Sequence, residues 1–410
     1  MLIFSGWYTS VTAQAPLSDV SKEHLIDYYN YRVTSNQWIA LSSPTLVSSI
    51  ALESDNVLVG AVAVCESDTF EFRQDAHITE KAVSNLWVLA KPSHQIRIFT
   101  GQNQGNLTVV ALHVPAVQVI APRPSALRVA YCEGQKPTVV PVSTWRTGLP
   151  APKELPSATQ VRHLVVHHSA GSNSSTNYTD VVRNIYVFHT QSNGWNDVGY
   201  NFLIAQDGTI FEGRDGQGRM EGDNVLGAHF CAKNTATMGV CLLGNYQMVQ
   251  PSDASIRALL QLLSWKLKKE NLDVLTTEPH PPTAPQGNLS TLVGHRDGCA
   301  TDCPGNNVYA RLNEFRMSLA ACGYTKPLAT SPNSDTFRLL VKESEWEINS
   351  IYTIESILVN DLVGKNRQLP LIERQDNIIR LDTRSLSSGL YFLRGTTQQG
   401  ERFTYKIMVP

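Results

Sequence analysis

In the stretch TLVGHRDGCATDCPG (Thr291–Gly305), His295 and Cys303 stand eight residues apart. Gly294, Gly298, Pro304 and Gly305 keep that stretch from being a regular element. Neutral imidazole and thiolate are both good zinc ligands, but two ligands do not make a site. A third is offered by RHLVVHHSAG (Arg162–Gly171), where the apolar run Leu164-Val165-Val166 predicts a short buried strand ending on His167 and His168. Adjacent side chains of a strand point to opposite faces, so only one of the two readily faces a metal. One strand-end histidine, with His295 and Cys303, gives three protein ligands and leaves the fourth position to water. That is the layout of a catalytic zinc site rather than a structural one. Zinc so held lowers the pKa of its water from 15.7 to about 7 and polarises an amide carbonyl.

The elements that must position these groups lie between residues 157 and 325, where strand and helix signals alternate. After the His167 strand, Thr179 is a candidate cap for a helix carrying Val182, Ile185, Tyr186 and His189 at helical spacing. Gln206-Asp207-Gly208 separates Tyr200–Ala205 from Thr209–Glu212 as a hairpin turn would. Thr237–Leu243 reads as a buried strand, and Ile256, Leu259, Leu260, Leu263 and Leu267 mark an amphipathic helix. A closing helix places Val308, Leu312, Phe315 and Leu319 on one face. The expected architecture is α/β, a mixed β-sheet covered by helices.

The rest of the chain flanks this segment. With 410 residues, of which 42% are hydrophobic, it can bury real cores and holds roughly two to four domains. A net charge of −2 argues against nucleic acid as partner, and no apolar run approaches the ~20 residues of a transmembrane span. Residues 1–15 read as the tail of a signal peptide, ending in the cleavage-like Ala13-Gln14-Ala15. Residues 16–142 are β-rich, with strands expected at 56–64, 70–72, 86–89, 95–99 and 107–114. They suggest a small β-sandwich, stapled in one reading by Cys65 and Cys132, that serves as a spacer or binds a partner. Residues 143–156 are proline-rich and read as a linker. Apart from Cys303, six cysteines allow up to three disulfides in an oxidising compartment; Cys241, in an apolar run, reads as a buried free thiol.

Four ordered segments carry a more specific signal: VVHHSAG, GWNDVGYNFLIAQDGTIFEGR (Gly194–Arg214), GAHF with MGVCLLGNY (within Gly227–Tyr246), and GHRDGCATDCPG. Together they resemble the zinc-dependent N-acetylmuramoyl-L-alanine amidases of type 2, a group that includes the peptidoglycan-recognition proteins. The resemblance implies zinc on His167, His295 and Cys303, and places Tyr200 and Thr301 beside the metal-bound water and scissile carbonyl, where their hydroxyls suit an oxyanion. It leaves His168 as a packing residue. His189 and His229 fall where the family lines its groove; Trp195 is a candidate for stacking on sugar and Asn234 for bonding a muropeptide. Family members that bind peptidoglycan without cutting it typically lack the cysteine, which this chain keeps. Members selecting diaminopimelate usually carry Gly-Trp after the position of Glu212-Gly213-Arg214, where this chain has Asp215-Gly216.

Residues 332–410 are again β-rich and resemble the C-terminal sorting domain of the type nine secretion system of Bacteroidetes. The markers are Pro332-Asn333, Asp335, Gly364-Lys365, Ser388-Gly389-Leu390-Tyr391-Phe392 and Lys406-Ile407, with Ser334 in place of the usual proline. The combined expectation is a monomeric amidase that is secreted or held on the outer surface of a Gram-negative bacterium. It would use Zn2+, the type nine secretion machinery and peptidoglycan as substrate. Two other classes compete with this: a muropeptide-binding surface protein without turnover, and an adhesin acting through residues 16–142.

Overall fold

The computed structural model describes residues 24–74, 82–117, 119, 131–282, 286–324, 337–342, 344–361, 365–375 and 377–409. The signal-peptide reading at 1–15 and the markers Pro332, Asn333, Ser334, Asp335 and Gly364 lie outside them. The described residues form two compact units. One runs up to Lys266 and resumes over Thr277–Leu312; the other takes Leu267–Thr276 and the residues from Asn313 onward. Among the described residues no helix is long and apolar enough to cross a membrane.

In the first unit, the N-terminal strands are β1 (Ile26–Val33), β2 (Trp38–Ser54), β3 (Val62–Cys65), β4 (Asp68–Glu71), β5 (Ala82–Val83), β6 (Trp87–Phe99) and β7 (Gly105–Leu112). They hydrogen-bond into one antiparallel sheet in the order β1-β7-β2-β6-β3-β4, with β5 on β2. This corrects the expected set. The longest strand, β2, and the first, β1, were not expected at all, and the runs at 86–89 and 95–99 belong to a single strand. Serine and threonine in β2 mask its period, and its pairing with β6 shifts register between Ser42 and Ser49.

Alternation along the strands sends side chains to two different cores. Leu107, Val109 and Ala111 of β7 join a core on one face with Leu41, Ile50 and Trp87. Val110 and Leu112, on the other face, share a second core with Val182, Ile185 and Tyr186 of the helix over Tyr178–Val187. A sheet buried on both faces loses the polar-out alternation that marks an independent half-exposed domain. The shared core is reinforced by polar contacts: the Ser48 and Ser49 hydroxyls donate to Asn184 Oδ1 at 2.7 and 2.8 Å, all buried. Cys65 is a free thiol, so the proposed Cys65–Cys132 staple does not exist.

In the proline-rich passage, the short helix α1 (Val142–Trp145) places Trp145 fully inside the second core, with its indole N–H donating to Glu212 O at 2.8 Å. Next come β8 (His163–His168), α2 (Tyr178–Val187), β9 (Phe202–Ile204), β10 (Ile210–Glu212), β11 (Thr237–Leu242), α3 (Asp253–Lys269), β12 (Thr277–His280), β13 (Gly287–Ser290) and β14 (Leu292–Gly294). The mixed sheet runs β10-β9-β11-β8-β14 and is parallel except for the β9–β10 hairpin. The cap of α2 is Asn177, not Thr179: its side chain reaches the Asp180 N–H, and Thr179 lies inside the first turn. The expected closing helix is two pieces, α4 (Asn306–Tyr309) and α5 (Leu312–Ala321).

The second unit contains a four-stranded sheet of β15 (Phe337–Val341), β16 (Glu345–Ser350), β18 (Leu371–Gln375) and β19 (Ile378–Asp382). A three-stranded sheet holds β17 (Ile354–Asp361), β20 (Gly389–Thr397) and β21 (Arg402–Val409). Trp346, Ile348, Ile379, Leu393 and Ile407 from the two sheets form a common core, which is the layout of a small sandwich.

Candidate metal centre

β8 is the middle of three parallel strands, with β11 on one side and β14 on the other. Pairing Gly294 with Val166 carries His295, the next residue, alongside His167. Both therefore project at carboxyl ends of neighbouring parallel strands, where open α/β sheets present their ligand crevices. Gly294 is required there, because a Cβ would come within 2.9 Å of Pro304 and Tyr309, which fold the Cys303 loop back. One ring nitrogen of each histidine and the Cys303 sulphur lie within 4.8 Å of one another, all buried. His167 Nδ1 is 3.6 Å from Cys303 Sγ, and the two imidazole rings are 4.6 Å apart.

The surroundings fix this donor set. His167 Nε2 is 3.0 Å from His229 Nδ1, and His229 Nε2 is 3.2 Å from the Thr237 hydroxyl. A relay of that kind sets the tautomer and leaves Nδ1 of His167 for a metal. The backbone N–H of His168 donates to Cys303 Sγ at 3.3 Å, a contact that favours thiolate. His295 Nε2 lies 3.2 Å from both sulphurs of the Cys231–Cys299 disulfide. Those sulphurs are oxidised and offer no thiolate, so Cys231, His295 and Cys299 are not a second metal site. Arg296 and Asp297 brace the loop: Arg296 donates to Cys303 O and Asn306 Oδ1, while Asp297 accepts from the Gly294 N–H and the Tyr309 hydroxyl. Cys132 and Cys322 are also disulfide-bonded, and Cys241 is a free buried thiol.

A cleft of about 280 Å³ opens over Cys303. Tyr200, Thr301, His168 and His189 line it. The Thr301 hydroxyl oxygen accepts the Cys303 N–H at 3.2 Å, which leaves its own proton to donate. His189 Nδ1 accepts from the Gly199 N–H at 3.1 Å. His168 accepts the Tyr246 N–H at Nδ1; burial, aided by Arg296 and Arg73, pushes its pKa down to about 3, so it stays neutral.

Three expected ligand contacts are not brought into this cleft. His229 is fully buried beneath His167, seated where Gly239 has no Cβ, and acts on another side chain rather than on a ligand. The side chain of Asn234 turns inward and accepts the N–H groups of His229 and Phe230, shaping the turn. Trp195 packs its ring 4.6 Å from His189 but lines a neighbouring cavity of about 300 Å³ with Arg214 and Asp215. Asp215 there is bound by Arg146 at 2.6 Å.

Sequence reading missed part of the cleft's lining: Arg73, Gln74, Asn85 and Leu86, from the segments that flank β4, β5 and β6 of the N-terminal sheet. Nothing in their local pattern signals it, because their closeness to Cys303 exists only once the second core has formed. The disulfide beneath His295 was equally hidden among six eligible cysteines.

This geometry defines the class to which comparison assigns the chain. The family model for N-acetylmuramoyl-L-alanine amidases matches residues 157–306. Peptidoglycan-recognition protein SC2 of Drosophila simulans is 35% identical over 44% of this chain and 85% of its own length. Peptidoglycan recognition protein 1 of Bos taurus is 33% identical over 38% of this chain and 72% of its own. Among solved structures, Drosophila PGRP-LB is 28% identical, covers 43% of this chain and 92% of that one, and superposes with a TM-score of 0.35. The chain belongs to the type-2 amidase and peptidoglycan-recognition protein family.

Proposed function

We propose that the protein is a zinc-dependent N-acetylmuramoyl-L-alanine amidase. The single observation that carries this reading is the convergence of His167, His295 and Cys303 under a cleft that Tyr200 and Thr301 line. The donor set fits zinc: two imidazoles and one thiolate are borderline-soft ligands, and three protein ligands leave a position open. Bound there, zinc supplies Lewis-acid polarisation of the amide and a water acidic enough to ionise near neutral pH.

The chain's own groups account for the rest. His229 holds the His167 ring, the His168 N–H holds the Cys303 sulphur, and the Cys231–Cys299 disulfide backs His295. Tyr200 and Thr301 donate to the carbonyl oxygen as it gains charge, and loss of one such donor costs about 10²–10³ in kcat. Hydrolysis adds water oxygen to the carbonyl carbon and breaks its bond to the L-alanine nitrogen. The lactyl carboxylate is released, and the nitrogen leaves as a protonated amine.

Metal analysis tests the site directly. The wild type is expected to carry one zinc and Cys303→Ala to lose both metal and turnover. A Cys303→Ala protein as active as the wild type would refute the assignment. Residues 332–410 are read as an export domain for the type nine machinery, which places the enzyme outside the cell or on the outer surface. Removing them should abolish secretion while leaving amidase activity intact.

A further inference from the structure

The wall of the cleft contributed by the N-terminal sheet lies outside residues 157–306, the part matched by the amidase family model. Its geometry is built rather than incidental. Arg73 is clamped at both backbone groups by Asn85: the Arg73 N–H donates to Asn85 Oδ1 and the Asn85 backbone N–H donates to Arg73 O, each at 2.8 Å. The remaining amide of Asn85 donates to Ala170 O at 2.7 Å, two residues beyond the end of β8. A buried asparagine thus ties the position of Arg73 to the strand that carries His167.

The Arg73 guanidinium reaches across to Asp302, with Nη1 3.5 Å from Oδ2, and its other terminal nitrogen contacts Glu71 at 3.3 Å. Asp302 immediately precedes Cys303. Its side chain is 66% exposed and that of Arg73 is 38% exposed, so the pair is solvent-screened and contributes little to stability. A planar fork with five donors can exchange such a partner for a bidentate ligand carboxylate at small cost. Arg73 lines the same cleft as Cys303, and its partner Asp302 is the neighbour of Cys303, so the guanidinium stands on the side of the cleft next to the metal-ligand loop. At about 280 Å³ the cleft falls just below the usual range for small-ligand sites, about 300–1,000 Å³.

We propose that Arg73 is a substrate-specificity residue that binds a stem-peptide carboxylate next to the L-alanine, so that acidic muropeptides are preferred over amidated ones. The proposal rests on the amidase reading of the cleft. Its probes are N-acetylmuramoyl-L-alanyl-D-glutamate and the D-isoglutamine counterpart, which differ by one charge because the α-carboxyl of the second residue is amidated in the latter. Binding is measured by calorimetry in the full chain carrying Cys303→Ala, and turnover is followed in parallel in the zinc-loaded enzyme.

Arg73→Gln should weaken binding of the acidic probe about ten- to a hundred-fold, the scale of a charge-assisted hydrogen bond, and raise KM with kcat held. The amidated probe should change less than two-fold. Arg73→Lys should recover part of the loss, and Asp302→Asn, which removes the competing carboxylate, should tighten the acidic probe. Equal binding of both probes to Arg73 and Arg73→Gln proteins would overturn the role of Arg73 and leave the amidase reading standing. No binding of either probe, together with no turnover by the wild type, would overturn both.

Discussion

His167 Nε2 faces His229 Nδ1 across 3.0 Å in a site from which both rings exclude solvent. A ring nitrogen engaged this way leaves Nδ1 to face the Cys303 sulphur, so the orientation of His167 is set by a residue that does not line the cleft.

From this, His229→Ala should weaken zinc binding about 10–100-fold, the usual effect of removing a ligand's hydrogen-bond partner. Competition with a chromophoric chelator measures it. Unchanged affinity would mean that Nδ1 of His167 is held in place without its neighbour.

The Cys231–Cys299 bridge closes a loop of 68 residues against His295. Cys231→Ser with Cys299→Ser should cost about 2–4 kcal/mol, read as a fall in the denaturant midpoint. Zinc affinity should fall with it.

Asn184 joins α2 to the N-terminal sheet through Ser48 and Ser49. Asn184→Ala leaves the buried Ser49 hydroxyl without its Asn184 acceptor, while Ser48 keeps Leu112 O, and should destabilise the first unit by about 1–3 kcal/mol. If the N-terminal sheet were an independent domain, calorimetry would show two separate transitions in the first unit. The shared core predicts one.

The neutral state of His168 has a pH signature. Its folded pKa is lowered by burial to about 3, below the unfolded value of 6.5, so the folded form binds fewer protons. Its contribution is fully present above about pH 6.5 and is lost progressively as pH falls toward about 3. In metal-free protein, His168→Asn should flatten the decline of Tm between pH 7 and pH 4. A decline identical to that of the wild type would show that His168 does not carry it.

Much of the centre was legible because its logic is local. A strand ending in His167 and a glycine-bounded loop holding His295 and Cys303 declare ligand types and an irregular backbone on their face. The β9–β10 turn and the α3 stripe are equally local, being set by Asp207-Gly208 and by helical spacing. What sequence hid depends on distant packing. His229 and Asn234 look like groove residues by position, and only the absence of a Cβ at Gly239 turns one of them inward. The sheet of residues 26–112 reads as a freestanding sandwich because Val110 and Leu112 bury a second face against α2, a surface 70 residues further along the chain. Arg73 enters the site through that same packing.

The most direct test of the amidase reading is the bond that is cut. Purified peptidoglycan incubated with the zinc-loaded protein should yield free L-alanine amino termini and intact glycan strands. Chelation should abolish the release, and added zinc should restore it. Release of reducing sugar ends, or no new amino termini from walls of either common stem type, would contradict it.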